Sequence, residues 1–96
     1  MSAEISVSPQ GEGRFLVEVR EPRGTSAHTV DVPAGMAEAL GWSDVTEAEL
    51  VRASFLFLLE REPPGSILPT FSLDVIGQYF SDYPDQIRRR RKSPRR

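Results

Sequence analysis

Residues 46–61 read TEAELVRASFLFLLER, and this stretch decides the fold because it is the most apolar helical segment of the chain. Thr46 with Glu49 matches the capping box that begins a helix. The Pro-Pro pair at 63–64 ends it, because proline disfavours helix in the residue before it. Apolar residues occupy nearly every side of this helix, and such helices are usually buried. We therefore expect either the C-terminal segment or a second copy of the protein to cover the sides that a sheet leaves open.

Three segments before this helix alternate apolar and polar residues, with the period of two that is typical of half-buried strands. We predict strands at about 3–8, 14–21 and 27–32, separated by turns that contain Gly and Pro. Three such strands with short connections predict an antiparallel sheet. Its apolar face needs a cover, since a small bare sheet is only marginally stable.

Two shorter helices are predicted on either side of the central one. The first spans about 34–40 and ends at Gly41. The last spans about 72–80 and begins at Ser72, a residue type favoured at helix N-termini. The predicted fold class is therefore α+β, a three-stranded antiparallel sheet followed by three helices at about 34–40, 46–61 and 72–80. A chain of 96 residues supports one such domain, which we place at 1–87.

Charge divides the chain into two opposed parts. All fourteen Asp and Glu lie in residues 1–87 with five Arg, whereas residues 88–96 hold seven cations, so that a body of about −9 and a strongly basic end give the net charge of −2. A block of like charge without apolar residues predicts a disordered tail at 88–96. The tail is a solvated terminus, a segment that folds back loosely on the acidic body, or a weak, salt-sensitive contact for nucleic acid, an acidic partner or an anionic membrane surface. The candidate contact residues are Arg88, Arg89, Arg90, Arg91 and Lys92.

Composition excludes several classes of function. The absence of cysteine excludes disulfides, a thiol nucleophile and thiolate metal sites, and a single histidine excludes a multi-histidine metal centre within one chain, so we expect no cofactor. No apolar run approaches the roughly 18 residues that a membrane span requires. The first residues lack the basic and apolar start of a secretory signal, which predicts a cytoplasmic protein.

Enzyme chemistry has one candidate, His28, as a general base near Ser26 and Thr29 in the sequence. Proximity in sequence is not a geometry, and a lone histidine at a strand start is usually a surface or edge residue. The carboxylates do not pair inside apolar runs, so no carboxylate with a raised pKa is indicated. We predict that the protein is not an enzyme, and a small enzyme centred on His28 is the alternative.

Residues 28–62 resemble a ribbon-helix-helix unit. The resemblance rests on TVDVP at 29–33, the short helix that follows, and TEAELVR at 46–52. Proteins of that family are obligate dimers whose paired strands enter the DNA major groove, so the resemblance implies a dimeric DNA-binding transcriptional regulator. The sequence departs from the pattern in a short first helix and in Asp31, whose charge would face DNA. The alternative is that the same strand and helices pack inside one α+β domain.

A second resemblance covers about residues 28–87. LLEREP at 58–63, SIL at 66–68 and the aromatic residues up to Tyr83 are similar to the C-terminal half of small uncharacterised bacterial proteins. This resemblance implies a bacterial, cytosolic protein, and it supplies no ligand or catalytic residue.

The leading hypothesis is a non-enzymatic protein-binding or regulatory module that is a homodimer and also binds an unidentified protein. Its acidic body suits a basic partner surface, which fits an antitoxin-like or adaptor-like role. The alternative is the dimeric ribbon-helix-helix-type DNA-binding regulator. Aromatic residues are enriched in binding surfaces, and the candidate partner or dimer interface residues are Phe55, Phe57, Leu58, Tyr79 and Tyr83.

Overall fold

A computed structural model describes residues 4–42 and 46–92, with the side chains of 4–42 and 46–90. Within these residues the sheet has four strands in the order β1-β2-β3-β4, with β1 at Glu4–Gly11, β2 at Arg14–Glu21, β3 at Gly24–Asp31 and β4 at Thr70–Ser72. The first three strands are antiparallel neighbours, and β4 runs parallel to β3. The α+β class is confirmed, but the expectation of three antiparallel strands at 3–8, 14–21 and 27–32 is wrong, because the sheet is mixed. Residue 3 lies outside the described residues.

The fourth strand is too short to show alternation, since Thr70–Ser72 has three residues. It joins the sheet where the backbone N–H of Thr29 donates to the Pro69 carbonyl at 2.8 Å, and Val30 then lies beside Phe71. A parallel neighbour requires a long crossover connection. The residues between β3 and β4, which include the central helix, provide it.

The central helix, α2, spans Glu47–Leu59 and begins as predicted, because Oγ1 of Thr46 accepts a hydrogen bond from the Glu49 N–H at 3.2 Å. One side of α2 packs against the apolar face of the sheet, which Phe15, Val17 and Val19 form with their neighbours. A C-terminal helix covers another side. Of the two covers that the sequence left open, the structure therefore provides the protein's own C-terminal segment. The buried residues of α2 are Leu50, Val51, Ala53, Ser54, Phe55, Phe57, Leu58 and Leu59.

The remaining helices differ from the three that were predicted. A single turn, α1, spans Met36–Ala39 instead of 34–40. In place of a helix at 72–80, the 3-10 turn Leu73–Val75 leads into another single turn, α3, at Ile76–Tyr79. The side chain of Ser72 makes no capping hydrogen bond, and Phe80 is extended, so nothing prolongs this segment in either direction.

The C-terminal helix, α4, spans Tyr83–Lys92, so the predicted disorder of 88–96 is wrong for 88–92. Tyr83 and Ile87, four residues apart, are buried against the body and fix the helix there. The cations that follow lie at the C-terminal end of the helix, where its dipole favours positive charge. The indole N–H of Trp42 also donates to the Ile87 carbonyl at 3.1 Å. The predicted domain boundary after residue 87 therefore falls inside α4, and residues 93–96 lie outside the described residues.

A search for membrane-spanning segments among the described residues found no helix with the necessary length and apolar character.

Candidate functional site

Four of the five residues predicted to contact a partner are buried within the chain. Phe55 and Phe57 have no exposed surface, and Leu58 and Tyr83 are 5% and 1% exposed. These four positions are a correction to the predicted interface, because α4 and the segment before it fold over the sides of α2 that the sheet leaves open. Tyr79 is 68% exposed and is the predicted interface residue that offers its side chain to another molecule.

Tyr83 is buried and has a structural role. Its hydroxyl oxygen lies 2.7 Å from Oγ of Ser54, which itself donates to the Leu50 carbonyl at 2.9 Å. Because the Ser54 hydrogen is used in that bond, Tyr83 donates to Ser54. Burial raises the pKa of Tyr83 to about 12, although the hydrogen bond with Ser54 opposes the shift. Tyr83 therefore joins α4 to α2.

An apolar groove of about 390 Å³ opens beside the C-terminal end of α2. Two large apolar side chains on it face solvent, since Leu68 is 45% and Tyr79 68% exposed. Leu58 and Phe71 contribute apolar surface from α2 and β4. We call this feature, lined by residues from 58–62, 66–71 and 75–80, the 68/79 groove.

The local sequence explains how the groove forms. The central helix ends at Leu59, two residues before the predicted end at 61, and the Pro-Pro pair then starts the 3-10 turn Pro64–Ser66, after which Ile67 is extended. Ile67 then turns into the core at 7% exposure, so that its neighbour Leu68 turns outward. In the lining segment 75–80, Ile76 is buried and anchors α3, and Tyr79 is the last residue of that turn. The sequence shows apolar residues here, but it has no periodicity that predicts a buried Ile67 and an exposed Leu68.

The groove carries an acidic group, the half-buried Glu62. The adjacent Arg61 does not neutralise it, because its guanidinium stacks 3.8 Å from the Phe57 ring centroid and binds Asp82 at 2.8 Å. Within the part of the chain that the structure describes, Glu62 has no ion-pair partner. Asp74 lies exposed on the 3-10 turn that precedes α3. The groove is therefore apolar inside and acidic in its charge.

His28 lies on the core face of β3 and is 2% exposed, so the expectation of a surface or edge histidine is wrong. Its Nδ1 is 2.7 Å from the Leu68 carbonyl oxygen, and its Nε2 is 2.7 Å from Oγ of Ser26. Burial lowers the pKa of His28, and the hydrogen bond to Leu68 opposes the shift. The sequence did not reveal this cluster because Leu68 is forty residues away along the chain.

The histidine also supports the wall of the groove. Its ring lies 5.2 Å from the Phe55 ring, which in turn lies 5.9 Å from the ring of Phe71. Phe71 and Leu68 both line the groove. His28 thus holds the backbone of Leu68 while the side chain of Leu68 faces outward.

The predicted basic contact residues divide into three groups. Arg88 donates to the Ala39 carbonyl at 3.1 Å, and Arg90 binds Glu60 at 2.7 Å, so both contact the protein's own body. Arg89 is exposed on α4. The side chains of Arg91 and Lys92 lie outside the described residues. Contact of this basic segment with nucleic acid or an acidic partner stays a prediction.

The strand assigned to a DNA-reading ribbon is an inner strand. Residues Thr29–Asp31 pair with β2 on one side and β4 on the other. A ribbon-helix-helix dimer needs a free edge at this strand so that two copies can pair. Asp31 is moreover engaged by Arg14 at 2.9 Å. The geometry of β3 therefore disfavours the ribbon-helix-helix alternative.

Among the residues that the structure describes, no group of three or more His, Asp or Glu side chains is arranged to hold a metal ion. In comparisons with protein-family models, curated proteins and solved structures, nothing matches this chain. Both resemblances noted in the sequence stay predictions, and the function has to be inferred from the geometry of the chain itself.

Proposed function

We propose that the protein is a non-enzymatic protein-binding module whose 68/79 groove takes a short segment of a basic partner protein. The segment places a large apolar side chain in the groove and a lysine or arginine beside Glu62. The observation that carries this proposal is the pair of exposed apolar side chains, Leu68 and Tyr79, on a groove that holds an acidic residue without an ion-pair partner among the described residues.

The apolar part of the proposal rests on exposure and size. Large apolar side chains that share one groove, rather than standing singly, are typical of binding sites. A volume of about 390 Å³ lies at the lower end of the roughly 300–1,000 Å³ of ligand pockets. That size accommodates a few side chains of a peptide rather than a folded surface. Tyr79 adds a rigid aromatic anchor of the kind that dominates binding energy.

The basic character of the partner rests on charge complementarity. Glu62 lies in the groove and Asp74 near it, and residues 1–87 carry a net charge of about −9. An acidic surface accelerates encounter with a basic partner and repels acidic ones. The Coulomb attraction between a cation and a half-buried carboxylate is also stronger than that between a cation and a fully exposed carboxylate.

This mode of binding fits an antitoxin-like or adaptor-like role, in which a small acidic protein binds a segment of a basic partner. Self-association stays a prediction from the sequence. Because the chain itself covers α2, a homodimer needs another surface, and a dimer through the 68/79 groove would compete with the peptide. The DNA-binding regulator is not proposed, since both edges of β3 are occupied at Thr29–Asp31.

The test uses two short probe peptides that share a central Leu-Phe pair and differ only in flanking lysines or flanking glutamates. Titration into isotope-labelled protein, followed by NMR, reports which backbone amides move and gives Kd for each peptide. We expect the lysine peptide to shift amides of the groove and the glutamate peptide to bind more weakly. The Glu62→Gln variant reduces this preference by up to about fivefold, because one partly screened ion pair is lost.

A matched pair of variants makes the test specific. Leu68→Ser should weaken the lysine peptide about tenfold or more, since it removes apolar surface that the peptide buries. Leu56→Ser is the control, because Leu56 is 39% exposed but lies on α2 outside the groove lining. Equal effects of the two variants, or no shift of groove amides by the lysine peptide, would refute the proposal.

A further inference from the structure

Ser26 and His28 form a hydrogen-bonded pair on one face of β3. They are two residues apart, so their side chains point to the same side of the sheet. Oγ of Ser26 lies 2.7 Å from Nε2 of His28, and Nδ1 of His28 lies 2.7 Å from the carbonyl oxygen of Leu68. A hydroxyl, an imidazole and a backbone acceptor are therefore connected by two consecutive hydrogen bonds.

The hydrogen-bond partners determine the tautomer. A backbone carbonyl only accepts, so the hydrogen of the neutral ring is on Nδ1 and donates to Leu68. Nε2 then presents its lone pair, and the Ser26 hydroxyl donates to it. This is the arrangement in which a base activates a serine nucleophile while a third group orients the base. Here a backbone carbonyl takes the orienting role.

The surroundings keep the base neutral. His28 is 2% exposed, whereas Ser26, the third residue of β3, is half-buried. Three uncharged groups lie against the ring: Val17 opposite it on β2, the Phe55 ring of α2, and the Leu68 carbonyl. Burial lowers the pKa of His28, which keeps the imidazole unprotonated near neutral pH.

We propose that Ser26 is an activated nucleophile that takes the acyl group of small activated esters, with His28 as its base. The acyl transfer does not require a peptide in the 68/79 groove, although His28 is bonded to the backbone of Leu68 in the groove wall. Oγ of Ser26 forms a bond to the acyl carbon while its proton moves to Nε2 of His28. The bond between the acyl carbon and the aryl oxygen then breaks, and the leaving phenolate takes the proton from His28. The products are the acyl ester of Ser26 and the free phenol, and the ring returns to its neutral form.

The experiment treats the full chain with 4-nitrophenyl acetate and maps the acetylated residues by peptide mass spectrometry. Ser66 and Ser6 are internal references within the same molecule, and Lys92 and the α-amino group are the competing amines. We expect Ser26 to be acetylated at least about a hundredfold faster than Ser66, because a positioned base contributes roughly 10²- to 10⁴-fold. The rate at Ser26 should fall on acidification with a midpoint below pH 6.5, since the shift of His28 is downward.

Two controls separate chemistry from folding. His28→Gln should remove the excess reactivity of Ser26, and circular dichroism shows whether that variant is folded. Where it does not fold, the unaltered protein in concentrated urea provides the comparison, because unfolding separates the pair and should equalise the serines. Acetylation of Ser26 no faster than that of Ser66 in the folded protein, or a folded His28→Gln variant that keeps the excess reactivity of Ser26, would overturn the proposal.

Discussion

Tyr83 donates a hydrogen bond of 2.7 Å to Ser54 within the buried contact between α4 and α2. The bond closes a short chain of donors that ends at the Leu50 carbonyl, so every polar atom of the cluster has a partner. The ring of Tyr83 also lies edge-on to that of Phe57, with 5.3 Å between the ring centroids. The C-terminal helix is thus held by a specific polar bond as well as by apolar packing.

Substitution of Tyr83 by Phe keeps the ring and removes only the hydroxyl. We expect a loss of about 1–2 kcal/mol in the free energy of unfolding, because Ser54 loses its buried donor. Urea denaturation followed by circular dichroism measures the loss. Tyr79→Phe is the matched control, because Tyr79 is mostly exposed and its change should be close to zero. Equal losses in the two variants would contradict the role given to the Tyr83 hydroxyl.

Alkaline pH should destabilise the protein through the same residue. The pKa of Tyr83 is raised to about 12 in the folded chain, against 10.0 for an ordinary tyrosine. Between these values the unfolded chain loses the proton and the folded chain keeps it, so stability is complete below pH 10 and falls as pH rises. The Tyr83 contribution to the slope approaches about 1.4 kcal/mol per pH unit. Comparison with Tyr83→Phe isolates it, and parallel curves for the two proteins would disprove it.

The burial of α2 predicts how a charge on that helix acts. Phe57→Asp should unfold the chain, at a cost above about 4 kcal/mol, because Phe57 has no exposed surface and a carboxylate there has no partner. Leu56→Asp should cost about 1 kcal/mol or less, since Leu56 is partly exposed. Circular dichroism and light scattering distinguish unfolding from dissociation. A folded Phe57→Asp monomer derived from a dimer would place Phe57 at an interface instead.

Removal of residues 88–96 should destabilise the body by about 1–3 kcal/mol. The truncation deletes the second half of α4, and with it the bonds of Arg88 to Ala39 and of Arg90 to Glu60. Chemical denaturation of the shortened chain measures the difference. A chain that ends at Lys92 is the control, because it keeps the contacts described for α4. If both shortened chains unfold at the same denaturant concentration as the full chain, the basic segment contributes nothing to the stability of the fold.

The sequence predicted the elements whose signals are local. The period of two located the first three strands within a few residues, and Thr46 located the start of α2. Elements that depend on distant partners were not found. Thr70–Ser72 becomes a strand because β3 offers it a free edge, and no pattern within three residues expresses that. Likewise, α4 forms because Tyr83 and Ile87 meet a body formed by residues far from them in the chain.

The candidate sites show the same division. The sequence has apolar residues at 67, 68 and 71, but which of these side chains faces solvent depends on the turn that follows the Pro-Pro pair. The sequence shows that Ser26 and His28 are close along the chain. It does not show that the Leu68 carbonyl, which is distant in sequence, fixes the ring of His28. Charge misled in one respect, because repulsion among the C-terminal arginines predicted disorder, whereas α4 continues to Lys92 and Arg90 binds Glu60 at 2.7 Å.

Trp42 is the one tryptophan of the chain, and it is bonded to the backbone of α4 at Ile87. Indole emission responds to the polarity around the ring, so detachment of α4 exposes this side chain and shifts its spectrum to the red. The intrinsic fluorescence of Trp42 therefore reports whether α4 is packed against the rest of the chain. Detachment of α4 can be followed in real time without an added dye or tag.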